Sequence, residues 1–306
     1  MVRPTWPAET LSLERGTVVV RVNQNSSAEA EPALMLHGLG SSGRAWAGLK
    51  AQLNDELDVV APDLVGFGQS SPPPDGDYTP AAHARAMIEV AEARFGSRPF
   101  HLFGNSMGGH IAMRMAAMRP DLINSLTLIA PALPDPVPAK GAWLLPLMAA
   151  PKMGEQIFTA YVDLPTEQRV KQTIAQNFAR PEELDEAWVQ ELAIEVDERR
   201  NHPHEADAYV KSLRELLLTY VDRSSTRPWA LVKRIQAPTL VIYGKHDRLV
   251  NARAAARVTR EFPKAKVVVL PDAAHVPHMQ TPEVIADLWR RFQVESRTAS
   301  QSVTTV

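Results

Sequence analysis

Cysteine is absent from the 306 residues, which excludes disulfides and thiolate chemistry but does not by itself identify a compartment. Excess charge is also lacking. The formal net charge is −2, with acidic and basic residues interspersed, so the concentrated basic face that nucleic acid requires is missing. No apolar run is long enough to cross a bilayer: the longest, Ala142 to Ala150, is short and interrupted by Pro146. Met1 to Thr10 has no apolar core of signal-peptide length, so a cytoplasmic location is expected. His202-Pro203-His204 has no carboxylate spacing to complete a metal site and reads as a solvated loop; neither metal nor cofactor is expected. What remains is a 45% hydrophobic chain with ample material for a sizeable core.

Leu11 to Val22 reads as a pair of strands turning at Glu14-Arg15-Gly16-Thr17, followed by a polar linker from Asn23 to Glu31. Strands are expected at Ala33–Leu36, Leu57–Ala61, Pro99–Phe103 and Leu126–Ala130, with helices over Arg44–Leu53, Pro80–Phe95 and His110–Met118 between them. That alternation predicts an α/β protein with a mostly parallel sheet. Pro131, Pro134, Pro136 and Pro138 then break the pattern, and no strand signal returns until Ala237-Pro238-Thr239. The interval between is helical, including Glu182 to Val196 and Ala206 to Tyr220. Glu295 to Val306, rich in serine and threonine, reads as a frayed tail.

The chemistry centres on Gly104-Asn105-Ser106-Met107-Gly108-Gly109, which joins an apolar strand to a helix. A G-x-S-x-G sequence there holds the serine on a tight, strained turn, while the new helix aims its free N–H groups and positive dipole end at the same spot. His37-Gly38-Leu39-Gly40 ends another buried strand, so the amides of Leu39 and Met107 are the expected oxyanion donors. A serine nucleophile requires a base, and the base an orienting acid. Asp247 follows the apolar run Leu240–Gly244, and His275 follows Val267–Leu270, giving the order serine, acid, histidine at strand ends. Asp63 and Asp272 are the rival acids: the first ends a strand on the other side of the nucleophile, the second lies too close to His275 in the same loop. Of the other histidines, His37 is expected to brace the oxyanion turn, His278 to sit beside the site, His246 to be exposed and His110 to open the helix behind Ser106.

These motifs, with Asp63-Leu64-Val65-Gly66-Phe67-Gly68-Gln69-Ser70, the G-x-x-D ending at Asp247 and the A-H at His275, resemble the α/β-hydrolase family from about Arg15 to Phe292. The resemblance implies an eight-stranded, mostly parallel sheet with an inserted helical cap, in which Ser106 is nucleophile, His275 base and Asp247 its orienter. Domain boundaries follow: core 1–132, cap 133–236, core 237–294 and tail 295–306. The cap stretch containing Trp143, Leu144, Leu145, Leu147, Met148, Met153, Ile157 and Phe158 forms either a lipophilic roof or the packing of cap on core. The expected pocket comprises His37, Gly38, Asn105, Trp143, Leu147 and Val276.

A serine at the turn argues against the haloalkane dehalogenases and epoxide hydrolases of this fold, which use aspartate. G-N-S-M-G-G resembles the turn of meta-cleavage-product hydrolases, but Leu39-Gly40-Ser41-Ser42 replaces their H-G-x-G-P-G, and Val276 stands where they carry tryptophan. The favoured expectation is a carboxylic-ester hydrolase acting on small to medium hydrophobic small-molecule esters without cofactor. Carbon–carbon bond hydrolysis, cofactor-free perhydrolase activity and a non-catalytic ligand receptor are the alternatives, and homo-oligomerisation is left open.

Overall fold

The computed structural model describes residues 6–303 except 24–26, 28, 136 and 263, with side chains through 298. Eight strands form one sheet in the order β1-β2-β4-β3-β5-β6-β7-β8. They are β1 (Ala8–Leu13), β2 (Gly16–Arg21), β3 (Glu31–Leu36), β4 (Leu57–Pro62), β5 (Phe100–Asn105), β6 (Ile123–Ile129), β7 (Thr239–Gly244) and β8 (Ala265–Leu270). β2 pairs antiparallel with β1 and β4, and every later pairing is parallel. Strands buried on both faces carry continuous apolar runs, as β3 and β7 do.

Helices α1 (Ala47–Gln52), α2 (Pro80–Phe95) and α3 (Met107–Met118) connect the first strands. Thr79 caps α2 by accepting from the Ala82 amide, and Pro80 occupies the first turn, where no N–H is needed. Between β6 and β7 lies an all-helical insertion: α4 (Leu145–Met148), α5 (Met153–Val162), α6 (Thr166–Asn177), α7 (Glu186–Glu198), α8 (Glu205–Val221) and α9 (Pro228–Leu231). α10 (Ala254–Glu261), α11 (Pro277–Gln280) and α12 (Pro282–Val303) complete the chain. One core layer packs α2, α3 and α10 on the sheet. The opposite layer sets Trp46, Leu49, Ile285 and Trp289 of the α1–α12 side against Phe103 and Ile242.

Two expectations shift. The frayed tail from Glu295 is instead a continuation of α12 to Val303, where Glu295 pairs with Lys266 at 2.7 Å and Arg297 with Glu31 at 3.2 Å. Serine and threonine are weak helix formers, and these contacts offset that deficit. The helical stretch expected from Glu182 begins as a separate turn at Pro181–Glu183, because Asp185 caps α7 by accepting from the Trp188 amide. Pro136, part of the Asn23–Glu31 linker, Met1–Thr5 and 304–306 lie outside the described residues.

The sheet order reverses at β3 and β5, the place where open α/β sheets bind ligands beyond the strand carboxyl ends. Register aligns those ends: Leu36 faces Gly104, Asn105 faces Ile129 and Ile129 faces Ile242. The turns that follow β3, β5 and β7 therefore emerge side by side.

Candidate active site

Ser106 sits between β5 and α3 with φ 54° and ψ −117°, a conformation a non-glycine residue adopts only where its surroundings impose it. Its amide donates to Ile129 O at 3.0 Å, and its carbonyl accepts from His110 and Ala132. The flanking glycines make the fold-back sterically feasible. A Cβ at Gly104 would strike the Gly108 backbone, and one at Gly108 would strike the carbonyl oxygens of Leu36 and His37.

The turn after β3 lies against this serine: a Cβ on Gly38 would come within 3.3 Å of Ser106 Cβ and 3.1 Å of Asn105 Oδ1. Met107 opens α3, and neither its amide nor that of Leu39 donates to another group among the described residues. Two unspent N–H groups thus flank the serine.

His37 holds the turn from beneath. It is fully buried, accepts from the Leu64 amide at Nε2 (2.8 Å) and donates from Nδ1 to Gly38 O (2.7 Å), a pattern that requires the neutral ring. Burial pushes its pKa down to about 4 against the attraction of Asp63. With both nitrogens engaged, His37 is a brace and not the pocket contact expected of it.

Asn105 is likewise an internal brace and not a pocket residue. Only 4% exposed, it uses Nδ2 to bond Ile129 O and His275 O, each at 3.1 Å, and so ties the histidine loop to the serine turn.

His275 Nδ1 lies 2.8 Å from Asp247 Oδ2, with both side chains almost wholly out of solvent. The other carboxylate oxygen accepts from the amides of Leu249 (2.7 Å) and Val250 (2.9 Å), which fixes the acid in its loop. Since Nδ1–H donates to the carboxylate, Nε2 is left as the basic nitrogen. Among the described residues no hydrogen bond joins Nε2 to Ser106 Oγ. Such contacts are often long in substrate-free sites and tighten on binding.

The rival acids are engaged elsewhere. Asp63 is buried against Arg21 and accepts from Gly43 and Gln69 amides, while Asp272 stands exposed against Arg180 at 2.8 Å. His246 is exposed, and His278 stacks on Trp46 with ring centroids 4.3 Å apart. No cluster of three metal-ligating side chains occurs among the described residues.

The insertion contributes contacts that local sequence does not signal. The carboxyl end of α6 hangs on the loops that carry Asp247 and His275: Asn177 O accepts from His275 N (3.1 Å), and Ala175 O accepts from Arg248 (2.6 Å). Val276, expected at the pocket, packs into the insertion's own apolar cluster with Val170, Phe178, Trp188, Leu192 and Val196. Tyr209 of α8 presses on the turn after β3, since a Cβ on Gly40 would come within 3.0 Å of its ring, and Phe158 packs on Tyr209 at 4.9 Å. Tyr209 has only its phase on an amphipathic helix to announce it.

The expected roof divides. Phe158 is buried and Leu145, Met148 and Ile157 are half-buried, but Trp143, Leu144, Leu147 and Met153 are 68%, 65%, 44% and 46% exposed. The exposed four, including the expected pocket residues Trp143 and Leu147, form no buried roof. They lie on the four-residue α4, the turn before it and the first residue of α5.

An eight-stranded α/β sheet with a strained serine at its switch point and a histidine–carboxylate pair beside it defines a class of fold and site. The alpha/beta hydrolase fold model matches residues 32–282, and the chain belongs to that family. It is 26% identical over 295 residues to Lipase 1 of Psychrobacter immobilis, covering 93% of this chain and 83% of that protein. It is 25% identical over 279 residues to 2-hydroxymuconate semialdehyde hydrolase of Pseudomonas putida, covering 90% and 92%. The structure of 2-hydroxy-6-oxo-6-phenylhexa-2,4-dienoate hydrolase from Rhodococcus sp. strain RHA1 superposes with a TM-score of 0.74 at 21% identity, covering 94% and 99%.

Proposed function

We propose that the protein is a serine hydrolase that cleaves carboxylic esters of small to medium hydrophobic substrates through an acyl-enzyme. The observation that carries this reading is the grouping of Ser106 at φ 54° with the Gly38 turn against it, and His275 bonded to Asp247 at 2.8 Å. Ser106 Oγ attacks the ester carbonyl carbon while His275 Nε2 takes its proton, and Asp247 holds the imidazolium that forms. The carbonyl oxygen, now an oxyanion, receives the Leu39 and Met107 N–H groups; removing one such donor typically costs about a hundred- to a thousand-fold. The C–O bond breaks, the alkoxide takes the proton from Nε2, and water attacks the acyl-serine by the same route in reverse.

The similarity to Lipase 1 supports an ester substrate, and the Tyr209–Phe158 pair beside the oxyanion turn supports a hydrophobic one. Carbon–carbon cleavage of a dianionic dienone fits the site less well. Arg199, a half-buried cation near His37, faces Glu195 at 3.5 Å and Glu205 at 3.6 Å, so it is already matched by carboxylates. The deciding experiment is fluorophosphonate labelling mapped by mass spectrometry, run beside a chain-length series of chromogenic esters and a ring-opened dienone. Label on Ser106, absent in Ser106→Ala, with esters of about four to eight acyl carbons preferred to acetate supports the proposal. Label elsewhere overturns the nucleophile, and faster dienone turnover overturns the ester.

A further inference from the structure

We propose that the amino-terminal part of the helical insertion is a docking surface for an anionic lipid surface, with the site opening beside it. Trp143, Leu144, Leu147 and Met153 are exposed within a stretch of a few turns, and Leu218 of α8 is 52% exposed as well. Single exposed apolar residues are ordinary, but several neighbouring ones, tryptophan among them, mark an interaction site. α4, α5 and α8 pack together here. Arg214 Nε donates to Ala149 O at 2.8 Å one turn before Leu218, and a Cβ on Gly154 would strike Met148 O. The exposed side chains therefore belong to one packed unit.

Charge chooses the occupant. From Val137 to Gly154 the chain carries Lys140 and Lys152, both exposed, and no acidic residue; of the acids flanking this stretch, Asp135 accepts from the Val137 amide and Glu155 lies 3.7 Å from Arg214. Lysines flanking exposed tryptophan and leucine match a surface of negative headgroups over hydrocarbon: the ammonium groups stay at headgroup level while the apolar side chains enter below. A protein partner's dry interface would tend to exclude lysine. No helix among the described residues is long and apolar enough to cross a membrane, so the association is peripheral. Placement adds a consequence. Gly141 N donates to Arg248 O at 2.7 Å, so the patch starts beside the loop that carries Asp247, and a lipid surface seated on it faces the edge of the site.

The docking is independent of whether Ser106 is the nucleophile, and the test keeps the two apart. The whole protein is floated with vesicles of phosphatidylcholine, with and without phosphatidylglycerol. Wild type and Ser106→Ala should float equally, and only with the phosphatidylglycerol vesicles. Lys140→Gln with Lys152→Gln should weaken binding about thirtyfold, roughly fivefold for each lysine. Leu144→Glu should weaken it by about tenfold or more, with an unchanged circular dichroism melt showing that the fold survives. The proposal is overturned by equal flotation with both vesicles, by none with either, or by variants that bind as wild type does. It is overturned equally if sedimentation velocity shows a dimer that Leu144→Glu dissociates while no vesicle binds, which assigns the patch to a second copy.

Discussion

Replacing Asn105 by alanine tests whether the histidine is held in place from the serine's own strand. The amide supplies two hydrogen bonds at 3.1 Å, one to Ile129 O and one to His275 O, from a side chain 4% exposed. Their losses are unequal. Ile129 O still accepts from the Ser106 amide at 3.0 Å, whereas His275 O loses the donor that reaches it among the described residues. An orphaned buried carbonyl costs about 1–3 kcal/mol, which sets the expected fall in stability. His275 keeps its bonds to Asp247 and to Asn177 O, so the ring stays in the site but its loop can shift. A displacement of about 1 Å costs on the order of a hundredfold in rate. Asn105→Ala should therefore lower kcat by about thirty- to a hundred-fold with KM changed by less than about threefold, and slow fluorophosphonate labelling in parallel. Steady-state kinetics on a chromogenic ester and urea unfolding, run on the same preparation, read both quantities. A stability loss with kcat within about threefold of wild type would reduce Asn105 to a structural residue and refute the coupling.

Asp247→Asn should cost about ten-thousand-fold in kcat by analogy with serine proteases, because the amide stabilises the wrong imidazole tautomer, while Asp272→Asn stays near wild type. The reverse pattern would show that the acid has been misassigned. Gly108→Ala, whose Cβ meets the Leu36 and His37 carbonyl oxygens, should destabilise by about 3 kcal/mol or more and abolish labelling; wild-type stability would contradict the close approach. Asp63→Asn leaves the buried Arg21 charge uncompensated and should cost about 3–5 kcal/mol, measured by urea unfolding; a loss below about 1 kcal/mol would show that Arg21 finds another partner or water. Acid should weaken the fold early. Burial holds His37 and His83 at about 4 and His110 at about 3, below their ordinary 6.5, so the unfolded chain binds these protons first. That stability is complete above about pH 6.5 and is lost as pH falls toward 4. Burial raises Glu205 to about 7, which opposes the loss by about one proton, so these four groups together give a slope of about 2.5 kcal/mol per pH unit between pH 6 and 5. A flat unfolding free energy over that range would mean that these rings titrate normally.

The sequence by itself determined the class of fold and the placing of Ser106, Asp247 and His275 after strand ends, because those signals are local. The G-x-S-x-G turn works through steric contacts among neighbouring residues, and apolar runs ending in Leu36, Phe103 and Gly244 mark strand ends to within two residues whatever packs around them. Helix α2 was legible to both ends because its cap, first-turn proline and terminal glycine all lie within the segment. Tertiary structure alone decided which way side chains face. Strand register and the β3–β5 neighbourhood turned Asn105 inward as a brace, and Val276 joined the insertion's cluster. The same apolar periodicity suits a roof, a core stripe or an exposed patch, and only packing at a distance separated Phe158 from Trp143. Likewise the weak helix formers at the carboxyl terminus are held as helix through Lys266 and Glu31, partners remote in sequence. Burial and charge pairing are sums over such distant neighbours, so no short window of residues contains them.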